Sequence, residues 1–440
     1  MGKLAINGGE KAVTATSNVR LPVVSEKGIA AAVELMKKGE ISTSPMVAEF
    51  EKEFAGYIGT KYGLASTSGT SSLHEALFAV GVSAGCEVIV PSFTFTTSVS
   101  SILAARGIPV FCDVDRETHC IDPEDIERKI TSHTKAIMAV HVWGNPCDME
   151  SILGIAQKHK LAIVEDCSHA HGATWKGQKV GSIGDAGAFS LQGSKIMPAG
   201  EGGVLTTNEQ NYYERAAVCG RPEKIDSFPV DSPNRHCERL GLGFKHRPHP
   251  LGIAIAREHL KELDGLNETR DKNGLYLDNG LADIPCVKPQ KVLPECRKVY
   301  SYHWGNYDTN LLGGVSLEVF LRALAAEGVI CGRAGYGRLH EAPLFEKGSI
   351  YYHECCLGRC PHSRRPEEFE KPDLPNTLHL RQSAFTMAPR FEVNFKETIE
   401  QYVDAYHKVV SAVDELKAYE KDNADKLKPV EVSARSVNPV

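Results

Sequence analysis

The chain has 440 residues, 42% apolar and 24% charged, the composition of a folded globular protein rather than a disordered one, and a length that fits two domains better than one or four. Acidic side chains outnumber basic ones by 56 to 50, so the formal charge of −6 gives no electrostatic reason to expect nucleic acid as a partner. No apolar run approaches the roughly 20 residues that span a bilayer. The first residues, MGKLAINGGEKAV, hold no stretch suited to a secretory leader. The expectation is a cytoplasmic protein without membrane contact.

In chain order, GIAAAVELMKKG (28–39) and PMVAEFEKEFAGYIG (45–59) have helical periodicity. From about residue 60 to 205, short apolar runs alternate with helix-like stretches. LAST (64–67), EVIVP (87–91), PVFCDV (109–114), KAIMAVHV (135–142) and LAIVED (161–166) are Val-, Ile-, Leu- and Ala-rich without strict alternation, as strands covered on both faces should be. Strand–helix–strand repetition at this spacing predicts βαβ units and a mostly parallel sheet. Asp122-Pro123-Glu124-Asp125 combines an N-cap, a proline at the first helical position and acids in the first turn.

After about residue 280 the texture changes. SYHWGNYDTN reads as an alternating strand and SLEVFLRALAAEG as a capped amphipathic helix; FKETIEQYVDAYHKVVSAVDELKAYEKD (395–422) reads as one long helix. The predicted organisation is an N-terminal segment with a large domain over 1–280, a small α+β domain over 281–425 and a polar tail over 426–440. Thirteen cysteines, an odd number in a chain without a leader, read as reduced thiols, mostly core residues. The cluster His353-Glu354-Cys355-Cys356…Cys360-Pro361-His362 matches no familiar ligand spacing, and no metal is assigned.

Ligands of open parallel sheets bind beyond the carboxyl ends of the strands. There the chain places Ser68-Gly69-Thr70 before a helix, a setting for an anion. Phe95 follows the second strand, Asp166 ends the fifth, and Lys195 stands between a Ser-ended strand (Ser190) and Gly200-Glu201-Gly202-Gly203. Each alone has a plain alternative, namely a helix cap, core packing, a polar strand end or a surface lysine. Together, an anion cradle, a flat aromatic, a carboxylate and a desolvated lysine are what pyridoxal 5'-phosphate needs for its phosphate, ring face, pyridine nitrogen and aldehyde.

The stretches LAINGGEKAV, STSGTSSLHEAL, VIVPSFTFTTS, PVFCDVDRETHCIDP, HVWGNPCDME, VEDCSHAHGATWKGQKVGSIGDAGAFSLQGSKIMPAGEGG and GRLHEAPLF cover most of residues 4–345. Together they resemble the DegT/DnrJ-type sugar and aminocyclitol aminotransferases, nearest in flavour to glutamine:scyllo-inosose aminotransferases. The resemblance implies fold type I, the aspartate-aminotransferase-like α/β fold, with a large mostly parallel-sheet domain and a smaller C-terminal α+β domain. By that resemblance Lys195 is the Schiff-base lysine and proton shuttle, and Asp166 the partner of the pyridine nitrogen. Phe95 covers one ring face, and His169 lies on the other near the phenolic oxygen. Ser68, Gly69, Thr70 and Ser190 hold the phosphate.

One departure stands out. Where the family has G-x-N-Y-R-M, with an Asn reaching the neighbouring subunit's phosphate, this chain reads Gly243-Phe244-Lys245-His246-Arg247-Pro248. Lys245 then takes the phosphate as a point charge, which implies a homodimer with shared active sites. Arg247, Tyr336 and His340 are candidates for the substrate side. The implied reaction moves an amino group from L-glutamine or L-glutamate to a keto cyclitol or keto sugar, with a nucleotide-linked 4-keto- or 3-keto-hexose as the alternative acceptor. Two further readings are a sugar dehydratase, whose relatives replace the lysine with His, and a non-catalytic cofactor-binding regulator. Lys195 argues against the first, and the absence of an appended DNA-binding motif against the second.

Overall fold

The computed structural model describes residues 3–15, 24–238, 240–345, 372–391 and 395–427. The strands, in chain order, begin with β1 (Tyr62–Ser66), β2 (Glu87–Pro91), β3 (Ile108–Cys112), β4 (Thr134–Val140) and β5 (Ala162–Asp166). They continue with β6 (Thr174–Trp175), β7 (Gln178–Lys179), β8 (Ala186–Ser190) and β9 (Gly203–Thr207). The later strands are β10 (Val287–Pro289), β11 (Cys296–Arg297), β12 (His303–Tyr307), β13 (Gly332–Arg333) and β14 (Ala384–Ala388). Seven of them form one sheet in the order β1-β9-β8-β5-β4-β2-β3. The run from β8 to β3 is parallel. Only β9 runs against its neighbours, β1 and β8. β2 and β8 are buried along their whole length, which is why they read as unbroken apolar or small-residue runs.

The helices α1 (Glu26–Lys38), α2 (Met46–Ile58), α3 (Gly69–Ala79), α4 (Thr96–Ala104), α5 (Pro123–Lys129), α6 (Met149–His159) and α7 (Gln210–Gly220) accompany this sheet. The Asp122 carboxylate caps α5 by accepting from the Glu124 N–H at 3.0 Å, with Pro123 at the first helical position. The long helix α8 (Pro250–Gly280) leads to a second, four-stranded antiparallel sheet in the order β10-β12-β14-β13. Its core joins Phe320 of α9 (Leu317–Ala326) to Phe385, Tyr406 and Val409, all fully buried. Among the described residues no helix is long and apolar enough to cross a membrane.

Two expectations change. The stretch 395–422 is two helices, Lys396–Ser411 and Val413–Asp422, separated at Ala412 (φ −105°, ψ 40°). The apolar stripe continues through Leu416, so the periodicity hides the break. Beyond it, Glu415 accepts from the Leu4 N–H at 3.4 Å and from Asn7 Nδ2 at 3.1 Å. The N-terminal residues, grouped with the large domain from sequence, pack instead on the second core: Leu4 is fully buried there. Glu327 fixes the segment by accepting from the Ala5 N–H at 2.8 Å and the Ala12 N–H at 3.0 Å. Of the described cysteines, Cys112, Cys120, Cys147, Cys167, Cys219 and Cys286 are buried, as expected for mostly core thiols, and Cys237 is exposed. The Cys/His-rich segment 353–365 lies outside the described residues.

Candidate active site

The antiparallel strand β9 organises one end of the sheet. Gly203 pairs with Ser66 on one side and Ser190 on the other, so the ends of β1 and β8 and the turn before β9 meet. A side chain at Gly203 would meet the Ser68 carbonyl, and one at Gly69 would lie 2.6 Å from Ser190 Cβ. The two glycines thus let the start of α3 sit against both strand ends. Ser68 caps α3, its Oγ accepting from the Ser71 N–H at 3.1 Å. Ser68, Gly69, Thr70 and Ser190 therefore converge, with the open N-terminus of α3 as the anion-attracting element.

Two residues away across the sheet, Asp166 ends β5, between Val140 of β4 and Ala188 of β8. Its Oδ2 accepts from Ser98 Oγ at 2.7 Å and its Oδ1 from the Ser168 N–H at 3.1 Å. Ser98 belongs to the first turns of α4, which begins just after Phe95. The Phe95 ring is half exposed, at 50%, although it stands among buried neighbours. Lys195 Nζ lies 6.0 Å from the centre of that ring. Burial, and secondarily the charge of Arg390, bring the Lys195 amine down to about 8, with Asp166 pulling the other way. A lysine held there is about one-tenth neutral at pH 7, several hundredfold more than at its ordinary value, and so a better nucleophile.

His169 follows on the loop after β5, and burial holds its imidazole well below the ordinary range, with the Lys195 charge adding to the effect. Its Nδ1 accepts from the Trp143 N–H at 3.3 Å, so the neutral ring carries its proton on Nε2 and can donate from there. Trp143 itself adopts a left-handed conformation (φ 56°) ahead of Gly144, where a Cβ would collide with the Val299 carbonyl. That turn stacks Trp143 face to face with Trp304 at 3.7 Å and, at 5.6 Å, with Tyr336. Tyr336 is thereby placed near Asp166, and burial raises its hydroxyl well above the ordinary range.

Lys245 and Arg247 lie apart from this group. They line a cavity of about 360 Å³ together with Ile41, Thr67, Glu201 and Pro248 of the same chain. Lys245 thus stands beside the approach to the Ser68–Thr70 turn of its own subunit. Arg247 Nε is 3.6 Å from Glu223. His340 is buried, with Nδ1 2.7 Å from Ser92 Oγ just past β2, a contact that ties the 336–340 loop to the sheet.

Two residues of the site lie outside the sequence expectation. Ser98 orients Asp166, and its only signal was a run of hydroxyl residues opening a helix. Arg390, beyond β14, donates from Nη1 to the Ser194 carbonyl at 2.9 Å. It reaches the site from the second domain, and nothing in the local sequence announces that.

The sequence pattern of the DegT/DnrJ/EryC1/StrS aminotransferase family matches residues 22–361. A protein of Micromonospora echinospora named for an L-glutamine:3-amino-2,3-dideoxy-scyllo-inosose aminotransferase activity is 37% identical over 306 residues, covering 68% of this chain and 71% of that one. The GDP-perosamine synthase of Caulobacter vibrioides is 40% identical over 243 residues, 55% of this chain and 64% of that one. Among solved structures, an aminotransferase from Psychrobacter cryohalolentis superposes with a TM-score of 0.78 at 26% identity, covering 90% of this chain and 99% of that one.

Proposed function

Because the chain belongs to the DegT/DnrJ/EryC1/StrS aminotransferase family, we propose that it uses pyridoxal 5'-phosphate to move an amino group from L-glutamine or L-glutamate to a keto cyclitol. The observation that carries this is one constellation: a buried amine brought down to about 8, an aromatic face 6.0 Å from it, and the Asp166 carboxylate beside them. The residues suit the cofactor. Gly69 packs directly on Ser190, where a Cβ would stand 2.6 Å from Ser190 Cβ, and this close approach brings the Ser190 hydroxyl to the helix N-terminus that suits a phosphate. Bound there, the cofactor supplies an aldehyde that condenses with amines and a ring that accepts electron density.

The chain's own groups do the rest. Asp166 holds a proton on the ring nitrogen, and Ser98 and the Ser168 N–H fix the carboxylate in that direction. With the cofactor bound, Lys195 Nζ would be the base that takes the α-proton of the amino donor and gives one back. Reversal with the ketone as acceptor completes the cycle. His169 would offer its Nε2 proton to the cofactor's phenolic oxygen, and Phe95 would shield a ring face from water. We assign Arg247 and Tyr336 to the substrate side, and Lys245 to the phosphate.

The proposal includes a homodimer. Leu240, Leu242 and Phe244 are exposed at 83%, 49% and 45% directly before Lys245, an apolar run that a second subunit would cover. Mixing Lys195→Ala and Lys245→Ala subunits tests whether sites are shared. Each mixed dimer regains one intact site if Lys245 crosses to the neighbour, and none if it serves its own chain. Sedimentation showing a fully active monomer would refute the dimer.

The acceptor is tested by charging the protein to the pyridoxamine form and offering keto-inositols, keto-hexose phosphates and nucleotide-linked keto-sugars. Return of the visible cofactor band with keto-inositols is expected. The similarity to a GDP-perosamine synthase favours a second reading, a nucleotide-linked keto-hexose, which the same experiment would reveal.

A further inference from the structure

Two groups of metal-ligating side chains stand out among the described residues: His141 with Glu165 and Cys167, and His74 with Cys219 and His246. The first is saturated. His141 has Nε2 3.0 Å from Glu165 and accepts at Nδ1 from the Cys147 N–H at 3.1 Å. Glu165 also accepts from the N–H groups of Gly181, Ile183 and Gly184 at 2.7–2.8 Å. Neither His141 nor Glu165 keeps a lone pair for an ion, which leaves Cys167 without a second ligand.

The second is different. His74 comes from the first half of α3, Cys219 from the last turn of α7, and His246 from the loop that carries Lys245 and Arg247. One ligand atom from each lies within 4.8 Å of the other two. The ligands of a tetrahedral zinc lie about 3.3–3.8 Å apart, given bond lengths of about 2.0–2.3 Å, so a small contraction closes the set. Among the described residues His74 has no hydrogen-bond partner and makes edge-to-face ring contacts with Phe244 at 5.0 Å and with His246 at 5.6 Å. His246 Nδ1 is 3.1 Å from Glu75 Oε1, which leaves the lone pair on the other ring nitrogen. A carboxylate behind a ligating imidazole is the usual outer support of a metal site. The second oxygen of Glu75 is fully buried without a partner, an electron-rich atom next to the cluster. Gly220 makes room for this arrangement, since a Cβ there would sit 2.3 Å from Glu75 Oε1 and 2.4 Å from His246 Nδ1.

We propose that His74, Cys219 and His246 bind a divalent transition ion of the zinc type, oriented by Glu75, with a fourth position left to water. Two nitrogens and one thiolate suit zinc or cobalt and not the oxygen-seeking magnesium or calcium. The ion would tie the 244–248 loop to α3 and α7, the helix pair beside the phosphate cradle. That consequence rests on the function proposed above, but the binding of the ion does not.

Cobalt(II) added to the purified full-length chain, followed by absorption, separates the outcomes. One ion per chain with a thiolate-to-cobalt charge-transfer band and intense tetrahedral d–d bands is expected, with zinc displacing it. Cys219→Ser should abolish the charge-transfer band, and His246→Gln should weaken binding at least tenfold. Glu75→Gln should weaken it about tenfold while keeping the band. Cys237→Ser, an exposed thiol elsewhere, should change nothing. A band that survives Cys219→Ser would place the metal elsewhere, for instance in the segment 353–365, and overturn the proposal; so would cobalt binding without a thiolate band, or no binding at micromolar ion. Because the readout is the metal's own spectrum, the result stands whether or not the protein transaminates.

Discussion

Glu165 and Asp166 leave β5 one residue apart, and alternation along the strand sends them to opposite faces of the sheet. Below the sheet, Glu165 takes hydrogen bonds from three backbone N–H groups and lies 3.0 Å from His141 Nε2, which fastens the 181–184 turn. Above it, Asp166 receives one hydroxyl and one N–H and keeps acceptor capacity toward the space that Lys195 and Phe95 share. Two carboxylates of similar chemistry are thus divided into a structural member with its bonding complete and one held ready for a ligand. Residual bonding capacity, more than burial, separates the two regions, because both carboxylates are buried.

Substitutions can break that comparison. Lys195→Ala is expected to have the largest effect, a loss of turnover of roughly 10³-fold or more, while circular dichroism and cofactor retained without a covalent link show an intact fold. Normal turnover would remove the assignment. The paired variants come next. Asp166→Asn should lower kcat by roughly 10²-fold with little change in the urea midpoint. Glu165→Gln should do the opposite, costing about 2–4 kcal/mol in urea unfolding and leaving kcat per folded molecule nearly unchanged. If both lower kcat equally, the two faces are not functionally distinct.

A pH profile sharpens the contrast further. The fold lowers the Lys195 amine to about 8 from its ordinary 10.5, so folding favours the neutral, nucleophilic form. The rate at which cofactor-free protein takes up pyridoxal phosphate, followed by absorbance, should rise about tenfold per pH unit below about 8 and level off above it. Asp166 raises that value, so Asp166→Asn should move the midpoint to lower pH; movement to higher pH would contradict the arrangement. The smallest effect is expected for Ser98→Ala. It removes one of the two hydrogen bonds to the Asp166 side chain and should reduce kcat about three- to tenfold, the net worth of an ordinary hydrogen bond, because the Ser168 N–H still holds the carboxylate.

Much of this was legible in the sequence. The apolar runs at 87–91 and 161–166 coincide with β2 and β5 to within a residue, because a strand buried on both faces must be apolar throughout. The cap at Asp122 read correctly because its partner, the Glu124 N–H, is two residues away. The break at Ala412 was not legible, since the apolar stripe runs on through Leu416 and the bonds that turn the chain come from Leu4 and Asn7. Nor was the docking of residues 4–13 on the second domain, which depends on Glu327, more than three hundred residues away.

The sequence by itself determined the strand–helix alternation, and so which residues fall at the carboxyl ends of the strands; Ser68, Phe95, Asp166, Ser190 and Lys195 follow from local patterns that the backbone reads without help. Only the tertiary structure decided how those residues are electrically tuned. The value of the Lys195 amine depends on Arg390 and on burial by distant segments, the aim of Asp166 on Ser98, and the tautomer of His169 on the Trp143 N–H. Solvent exclusion and through-space charge are properties of what surrounds a group, and in a folded chain those surroundings are drawn from segments that share no local pattern.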